Sequence, residues 1–398
     1  MTSATPLTTL PPEVCGTICG LTDKPSLIAL ATVSRPFRHE AQRIIFRTVD
    51  LGNTEAARQW RLAIRRNPRL SPIATRISFS MPRLADAELL AKALKKCKNL
   101  KHLEIRGDNA VSTHTWIAEG SFKLRVFVNS ALGLAPSSPF WKQQTQIRVL
   151  SFPLSAGQYI KGGFPCGDDK LPNLVAVDVV DMGMLPATTR PLERIQLNMA
   201  VSLIKIDDLT GLARFAPTLT HLNLTGVLFE YLECIVPVLV KTVPNLVHLG
   251  VSEPIEQGDP FYLSDVRPGV VYLPLHVMRA FAHLRSLVLF AFRSQEFLLP
   301  DVDDVPEQSD YPFYVMLNDP KGVAHTLMDD VSQLRLVTIA SSIQNERTKG
   351  FTLGTDVPER TVRTCTLRRL ESEDSKQSFS VDRDGEYDFD AVGHFWEA

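Results

Sequence analysis

A recurring phrase of alternating apolar residues, LxxLxL, most constrains what this 398-residue chain can fold into. Such alternation puts the apolar side chains on one face of a short β-strand. The eight full copies are Leu100-Leu103-Ile105, Ile147-Leu150-Phe152, Leu174-Val177-Val179, Leu192-Ile195-Leu197, Leu219-Leu222-Leu224, Leu246-Leu249-Val251, Leu284-Leu287-Leu289 and Leu334-Val337-Ile339. A single strand of this kind cannot bury its apolar face alone, so the pattern predicts an array of stacked repeats.

The segment 219–245 is the clearest repeat unit. Its strand residues are followed by Leu232, Ile235, Val236 and Leu239, which have helical spacing. A proline precedes this strand, and another precedes the next, in positions that would end a helix. Each repeat is therefore expected to consist of one strand and one returning helix or turn.

The N-terminal segment 10–51 has a different pattern, which predicts three short helices. Thr9 and Asp23 are candidate N-caps for the first two, and each of these helices carries an apolar stripe. Helices this short bury little surface by themselves, so we expect an exposed apolar face that seeks a partner.

This segment resembles an F-box, the module that binds the Skp adaptor of cullin-based ubiquitin ligases. The residues that carry the resemblance are Leu10, Pro11, Glu13, Ile18, Leu21, Leu27, Leu30, Val33, Ser34, Phe37 and Phe46. The segment departs from the family at Cys15 and Cys19, where bulky aliphatics are usual, and at Phe37, where Trp is frequent. The alternative interpretation is an ordinary three-helix cap on the first repeat.

The LxxLxL phrases resemble the strands of leucine-rich repeats. A partial copy at Leu124-Phe127 divides the first interval, and five of the eight resulting intervals fall within the 20–29 residues of that repeat. Together the motifs resemble the divergent F-box/leucine-rich-repeat proteins of fungi. The resemblance implies an α/β fold in which a short three-helix module leads into an irregular β/α solenoid, or horseshoe.

The expected division of the chain has four parts. Residues 1–9 form a disordered tail, 10–51 the F-box-like module, 52–365 the repeat solenoid with a loop near 299–310, and 366–398 a C-terminal cap. A helix is expected over 60–79. Alternating apolar residues around Asp384-Gly385 predict a hairpin over 378–389 that closes the array.

The resemblance implies a substrate-recruiting subunit of an SCF-type (Skp/cullin/F-box) ubiquitin ligase, with catalysis left to other subunits. Its partners would be a Skp-type adaptor, a cullin bound through that adaptor, and an unidentified target protein. The residues expected against the adaptor are Leu10, Pro11, Val14, Ile18, Leu27, Leu30 and Val33. Those expected on the exposed face of the strands, toward the target, are His102, Arg106, Asn223, Thr225, His248 and Ser252.

Composition and charge favour an intracellular protein, cytoplasmic or nuclear, without a membrane span. Six scattered cysteines do not make a disulfide framework, and 43 Lys and Arg against 44 Asp and Glu leave a net charge of -1. Neither nucleic acid nor membrane is an expected partner, because no global field would attract them. The arginines Arg58, Arg61, Arg65, Arg66, Arg69 and Arg76 are interpreted as a solvated face.

No metal, cofactor or catalytic residue is expected. The chain has no GxSxG, HExxH, GxxxxGK or GxGxxG motif, and Cys15 with Cys19 form one CxxxC without a second pair. Two alternatives to the adaptor remain: a free-standing leucine-rich-repeat scaffold without a ligase role, and an enzyme with an unrecognised site.

Overall fold

The computed structural model describes residues 10–80, 90–107, 111–112, 116–153, 164, 166–167, 169–199, 206–227, 229–253, 271–272, 275–293, 314–315, 320–344, 360–369 and 376–384. The chain divides into two compact units, Met1–Lys161 with Pro165–Asn173 and Gly162–Phe164 with Leu174–Ala398. The architecture is mixed α/β with an open sheet. The tail predicted at 1–9 and the loop predicted at 299–310 lie outside the described residues.

Unit 1 opens with three short helices, as predicted: α1 (Pro12–Gly20), α2 (Lys24–Val33) and α3 (Arg35–Ile45). Each has a proline in its first turn, where the missing amide proton has no helical partner to lose. The Asp23 carboxylate accepts a hydrogen bond from the Ser26 amide at 3.2 Å, which confirms its role as the N-cap of α2. Thr9 lies outside the described residues.

The strands of unit 1 are β1 (Thr48–Leu51), β2 (Arg76–Ser80), β3 (His102–Arg106), β4 (Val111–Ser112), β5 (Val126–Asn129), β6 (Leu132–Gly133) and β7 (Val149–Ser151). β1, β2, β3, β5 and β7 pair in that order, each parallel to the next, and β4 pairs separately with β6. Between these strands run α4 (Thr54–Arg66), α5 (90–94), α6 (Pro139–Gln143) and the 3-10 helices Pro68–Ile73 and Trp116–Glu119.

Two predictions near the start of the sheet are wrong. The helix expected over 60–79 ends at Arg66, and the chain re-enters the sheet as β2 from Arg76. The last four residues of the predicted helical segment form β1, which pairs with β2. In both places the apolar residues alternate, as in Val49 and Leu51 or Ile77 and Phe79, and all four side chains are buried in the sheet.

The strands of unit 2 are β8 (Ala176–Val179), β9 (Arg194–Asn198), β10 (His221–Thr225), β11 (His248–Ser252), β12 (Val271–Tyr272), β13 (Ser286–Arg293), β14 (Tyr314–Val315), β15 (Leu336–Gln344), β16 (Arg360–Arg369) and β17 (Lys376–Asp384). β8, β9, β10, β11, β13 and β15 pair in parallel. The helices are α7 (Leu232–Thr242), α8 (Leu275–Met278), α9 (Pro320–Asp330) and the 3-10 helices Met182–Met184, Ile206–Phe215 and Phe229–Tyr231. A separate antiparallel pair joins β12 and β14.

The described C-terminal residues add two antiparallel strands to unit 2. β16 pairs with β15, and β17 pairs with β16 from Lys376 to Asp384. This pairing begins at Arg360, ahead of the predicted cap at 366–398. The second strand of the hairpin predicted around Asp384-Gly385 lies outside the described residues, so that hairpin stays a prediction.

All eight LxxLxL phrases lie on strands, as predicted. The central residue of each phrase stands directly beside its counterpart on the neighbouring strand of the same unit. The row runs through Ile77, Leu103, Phe127 and Leu150 in unit 1 and through Val177, Ile195, Leu222, Leu249, Leu287 and Val337 in unit 2. Every one of these side chains is 0% exposed, so the row is the centre of each core.

In three repeats, an asparagine immediately before the LxxLxL phrase forms a hydrogen bond to the preceding repeat. The Asn99 side chain donates to the Pro72 carbonyl at 2.7 Å, and the Asn173 side chain donates to the Thr145 carbonyl at 2.9 Å. Asn245 makes the corresponding bond to Ala216 at 3.4 Å. Each bond spans 27 to 29 residues, so it fixes one helix-to-strand turn against the preceding one.

Replacing Gln144 by Ala should lower the free energy of unfolding by about 2–4 kcal/mol, measured by urea denaturation. Gln144 is 0% exposed; its side chain accepts from the Leu124 amide at 2.8 Å and donates to the Phe122 carbonyl at 3.1 Å. The substitution strands both backbone groups away from water. Gln146→Ala, at an exposed position two residues away, should change stability by less than about 0.5 kcal/mol; equal effects would contradict the assigned role.

Candidate functional site

The three-helix module of unit 1 carries a concentration of exposed apolar side chains. Seven large hydrophobic residues are exposed in the described part of the chain, and six of them lie in residues 10–33. The six are Leu10 (47% exposed), Val14 (41%), Ile18 (37%), Leu21 (86%), Ile28 (57%) and Val33 (66%). Single exposed hydrophobics are ordinary, but a cluster confined to one small module is typical of a docking surface.

Most residues expected at the adaptor are available in the structure. Leu10, Pro11, Val14, Ile18 and Val33 are exposed. Val14 and Ile18 are four residues apart on α1, so they occupy one face of that helix.

Leu27 corrects the predicted set. It is 4% exposed and forms the module's core with Cys19 and Ala41, and Leu30 packs against that core while half-buried. Leu27 therefore holds the helices together and cannot contact a partner directly. Leu21 and Ile28 are exposed but were not in the predicted set. Leu21 follows the C-terminal end of α1, and Ile28 comes directly after the buried Leu27 on α2, so its side chain points in a different direction from that of Leu27.

Cys15 and Cys19 are packing residues of the module. They are 1% and 0% exposed, and burial raises the pKa of the Cys19 thiol above its ordinary value. A buried protonated thiol is unreactive and behaves as a small hydrophobe. The small volumes of Cys19 and Ala41 let α1 and α3 approach closely at the position where a bulky aliphatic would separate them.

A second candidate site is the non-leucine face of the unit 2 sheet. Strand pairing places Asn223 beside Gln196 and His248 beside Ser286, and a diagonal contact between Asn223 and His248 brings the two pairs together across β9, β10, β11 and β13. The Asn223 amide donates to Gln196 Oε1 at 3.0 Å, and the contact between His248 Nε2 and Asn223 Oδ1 measures 3.2 Å. Ser286 Oγ lies 2.9 Å from His248 Nδ1. We call this chain the polar relay.

The polar relay determines the state of His248. Asn223 Oδ1 can only accept, so Nε2 of His248 carries the proton and donates to it. Nδ1 is then unprotonated and accepts from the Ser286 hydroxyl. Burial lowers the pKa of His248 to about 3, with a further contribution from His221, whose ring stacks on it at 5.5 Å, and from Arg194. Burial likewise lowers the pKa of His221 to about 4.

The expectation that the target-facing residues lie on an exposed face is wrong for three of them. Asn223, His248 and Ser252 are 1%, 4% and 5% exposed. Parallel strands lie about 4.8 Å apart, so polar side chains at equivalent positions reach one another and satisfy their hydrogen bonds within the protein. Thr225 is half-buried, and its hydroxyl donates to the Leu197 carbonyl at 3.4 Å. These four residues do not form a free recognition surface.

The two remaining target residues, His102 and Arg106, belong to unit 1. Arg106 is exposed and donates through Nε to the buried Glu104 carboxylate at 2.6 Å. His102 is half-buried, and desolvation together with Arg76 lowers its pKa to about 4. Its Nε2 atom is buried and makes no hydrogen bond within the described residues. The predicted target set is thus divided between the two units.

Two further kinds of site are absent from the described residues. No group of three or more His, Cys, Asp and Glu side chains among them is arranged to hold a metal ion. No helix in this part of the chain has both the length and the apolarity needed to cross a membrane.

No protein-family model matches the chain, and no curated protein matches it at a significant level.

The free energy of unfolding should fall as the pH drops from about 6.5 toward 4, by on the order of 1–3 kcal/mol from the polar relay. The pKa of folded His248 lies below that of an unfolded histidine, so its stabilisation is complete above about pH 6.5 and is lost as the unfolded state takes up protons. Urea denaturation at several pH values measures this dependence.

His248→Gln should flatten that pH dependence, because glutamine keeps a donor and an acceptor but does not titrate. The matched control is His283→Gln, at an exposed histidine, which should retain the full dependence. An unchanged pH profile in His248→Gln would mean that the relay histidine does not exclude protons in the folded state.

Proposed function

We propose that this protein is the substrate-recruiting subunit of an SCF-type ubiquitin ligase. The three-helix module would dock on a Skp-type adaptor and, through it, on a cullin, while the repeat region binds a target protein. The chain itself would then be a binding protein rather than an enzyme, without cofactor or metal. The observation that carries the proposal is the cluster of exposed apolar side chains confined to residues 10–33.

The geometry of the module supports a docking role. The core of three helices is small, consisting of Cys19, Leu27 and Ala41 with partly buried hydrophobics around it. The exposed side chains contribute nothing to that core. Complete burial of a Val, Leu or Ile side chain is worth about 1.5–3 kcal/mol, and these residues begin 37–86% exposed, so a partner that covers them gains on the order of 1 kcal/mol from each.

We further propose that the strand array is a leucine-rich-repeat region. Three observations support this: the phrases stack in register, their strands pair in parallel, and asparagine ties that each span 27–29 residues occur in both units. The length and order of the motifs in the sequence agree with the same family. The helical module and the strands β1 to β7 both belong to unit 1, so the docking module shares one compact unit with the first part of the repeat region.

The alternative is a free-standing repeat scaffold whose helical module only caps the array. The buried Cys15 and Cys19 favour it, because they stand at positions where the F-box family has bulky aliphatics. The two functions differ in one observable: an adaptor subunit co-purifies with a Skp protein in equal amount, and a scaffold does not.

Co-expression with a Skp adaptor should give a single peak in size-exclusion chromatography, and a Val14→Asp, Ile18→Asp double variant should abolish that peak. Both side chains are exposed on α1, so charging them should weaken apolar contact at least tenfold without disturbing the fold. Leu10→Ala with Pro11→Ala tests the entry to the same helix. Circular dichroism checks that each variant remains folded.

The matched control is Tyr231→Asp, which charges the one exposed large hydrophobic of the described residues that lies outside the module. It should leave the shared peak intact. Leu27→Ala should act differently, by destabilising the module core. Separate peaks for the unmodified chain and the adaptor would favour the scaffold, and retention of the complex by the double variant would remove α1 from the interface.

A further inference from the structure

The net charge of the chain is close to zero, but positive and negative residues are unevenly distributed along it. Residues 1–161 contain 23 Lys and Arg against 10 Asp and Glu, whereas residues 174–398 contain 19 against 32. The first segment therefore carries a net charge of +13 and the second −13. At physiological ionic strength charges interact over about 8 Å, so a partner meets each surface separately rather than the sum.

The strand starts of unit 1 collect part of this positive charge in one line. The residue before each strand donates its amide to the carbonyl of the residue before the preceding strand: Thr75 to Arg47 at 2.9 Å, Lys101 to Thr75 at 2.9 Å, Arg125 to Lys101 at 2.6 Å and Arg148 to Arg125 at 2.8 Å. Five strands at about 4.8 Å spacing make a line of about 19 Å. We call its four cations, Arg47, Lys101, Arg125 and Arg148, the basic row.

All four side chains of the basic row are exposed. Among the described residues, none of them makes an ion pair or a side-chain hydrogen bond. Three more exposed arginines lie where α4 ends and the chain returns toward β2: Arg65, Arg66 and Arg69. A crossover helix between parallel strands finishes at the edge where the next strand begins, so these arginines extend the positive surface at that edge.

The fold does not require cations in these positions. The same backbone line continues within unit 2, where Glu193 donates to Val175 at 2.9 Å, Thr220 to Glu193 at 3.0 Å and Val247 to Thr220 at 2.8 Å. These four residues include no cation. Arginine returns later in that line at Arg285, Arg335 and Arg369, and the Arg369 side chain donates to the Leu334 and Met328 carbonyls. The four exposed cations among the five strand starts of unit 1 are therefore a property of its surface chemistry.

The chemistry of this edge fits an acidic polypeptide better than a nucleic acid. Single-stranded nucleic acid is held by aromatic side chains on which bases stack, and every described aromatic side chain of unit 1 is buried or half-buried. Guanidinium groups bind carboxylates in bidentate pairs, and three of the four residues in the basic row are arginine. A line of about 19 Å also matches a short extended segment of about six residues.

We propose that the basic row of unit 1 binds an acidic polypeptide segment of the recruited target. In naming the partner a target, the inference rests on the proposed adaptor function, although the binding itself does not. The recognition surface then lies along the strand starts, and Asn223 and His248, which the sequence analysis placed toward the target, belong to the buried polar relay.

Fluorescence anisotropy of the full chain with a labelled peptide of about eight glutamates tests the inference, since eight extended residues cover the row. The peptide should bind at low salt, and a matched glutamine peptide should bind at least tenfold more weakly. A Lys101→Glu, Arg125→Glu, Arg148→Glu variant should lose at least tenfold in affinity. The corresponding triple Gln variant should lose less, and urea denaturation shows whether each variant is folded.

The matched control reverses three exposed cations of unit 2, Lys241→Glu, Arg285→Glu and Lys321→Glu, which changes the net charge by the same amount. It should keep the affinity for the peptide. Equal loss in both triple variants, or unchanged binding in the unit 1 variant, would overturn the inference. So would a single-stranded oligonucleotide of equal charge that binds as tightly as the peptide.

Adaptor binding separates the two proposals. The unit 1 charge variant should still share a peak with the Skp adaptor, because its substitutions lie outside residues 10–33. Loss of peptide binding by a chain that still binds the adaptor supports the inference and leaves the proposed function untouched. An unmodified chain that binds the peptide but no adaptor would refute the ligase role and retain the acidic-segment site.

Discussion

Parallel pairing of short strands in strict register is the constraint on which both units depend. It places the central apolar residue of every phrase beside its neighbour, from Ile77 to Leu150 in unit 1 and from Val177 to Val337 in unit 2, with no exposure along either row. No strand could bury these side chains alone. The intervals between phrases range from 18 to 50 residues, yet the pairings within each unit keep their register. Insertions between strands are therefore accommodated outside the ladder.

The strand register also determines whether polar side chains are buried and hydrogen-bonded to one another or exposed to water. Gln196 and Asn223 are paired in one row of the sheet, and His248 and Ser286 are paired in another. Hydrogen-bonding contacts within and between the two rows produce a buried polar element whose histidine stays neutral. Where cations precede four of the five strands of unit 1, the side chains are exposed, and those on adjacent strands repel one another at about 4.8 Å strand spacing. Such an arrangement is unfavourable for stability, and the proposed acidic partner would offset the repulsion.

Much of the fold could be predicted from the sequence because its signals are local. Each of the eight LxxLxL phrases contributes a strand, each of the three N-terminal helices has a proline in its first turn, and Asp23 caps the second. The helix expected over 60–79 failed because a run rich in Arg, Leu and Ile reads equally well as a helix or as a helix followed by a strand. Only pairing with β1 and β3 turned Arg76–Ser80 into β2.

The candidate sites were less predictable, since exposure is a property of three-dimensional packing. Five of the seven docking residues are exposed, but Leu27 is in the core, and its spacing on α2 is equally compatible with either location. For the target residues, strand alternation correctly separated Asn223 and His248 from the leucines, but it could not tell that this second face is also buried. Two features of the sequence could have been used: the asparagine before an LxxLxL phrase indicates a hydrogen bond to the preceding repeat, and the charge difference between the two segments indicates the positive surface of unit 1.

The sequence by itself determined the repeated strands, the helical module and the opposite charges of the two segments, because periodicity, caps and composition act over a few residues or by simple count. Only the tertiary structure decided which polar residues meet. Gln196 and Asn223 are 27 residues apart, and Lys101 and Arg125 are 24 apart, yet each pair is adjacent through strand pairing. Neighbourhood across a parallel sheet is set by register and not by distance along the chain, so a buried relay and an exposed basic row can arise from equally scattered residues.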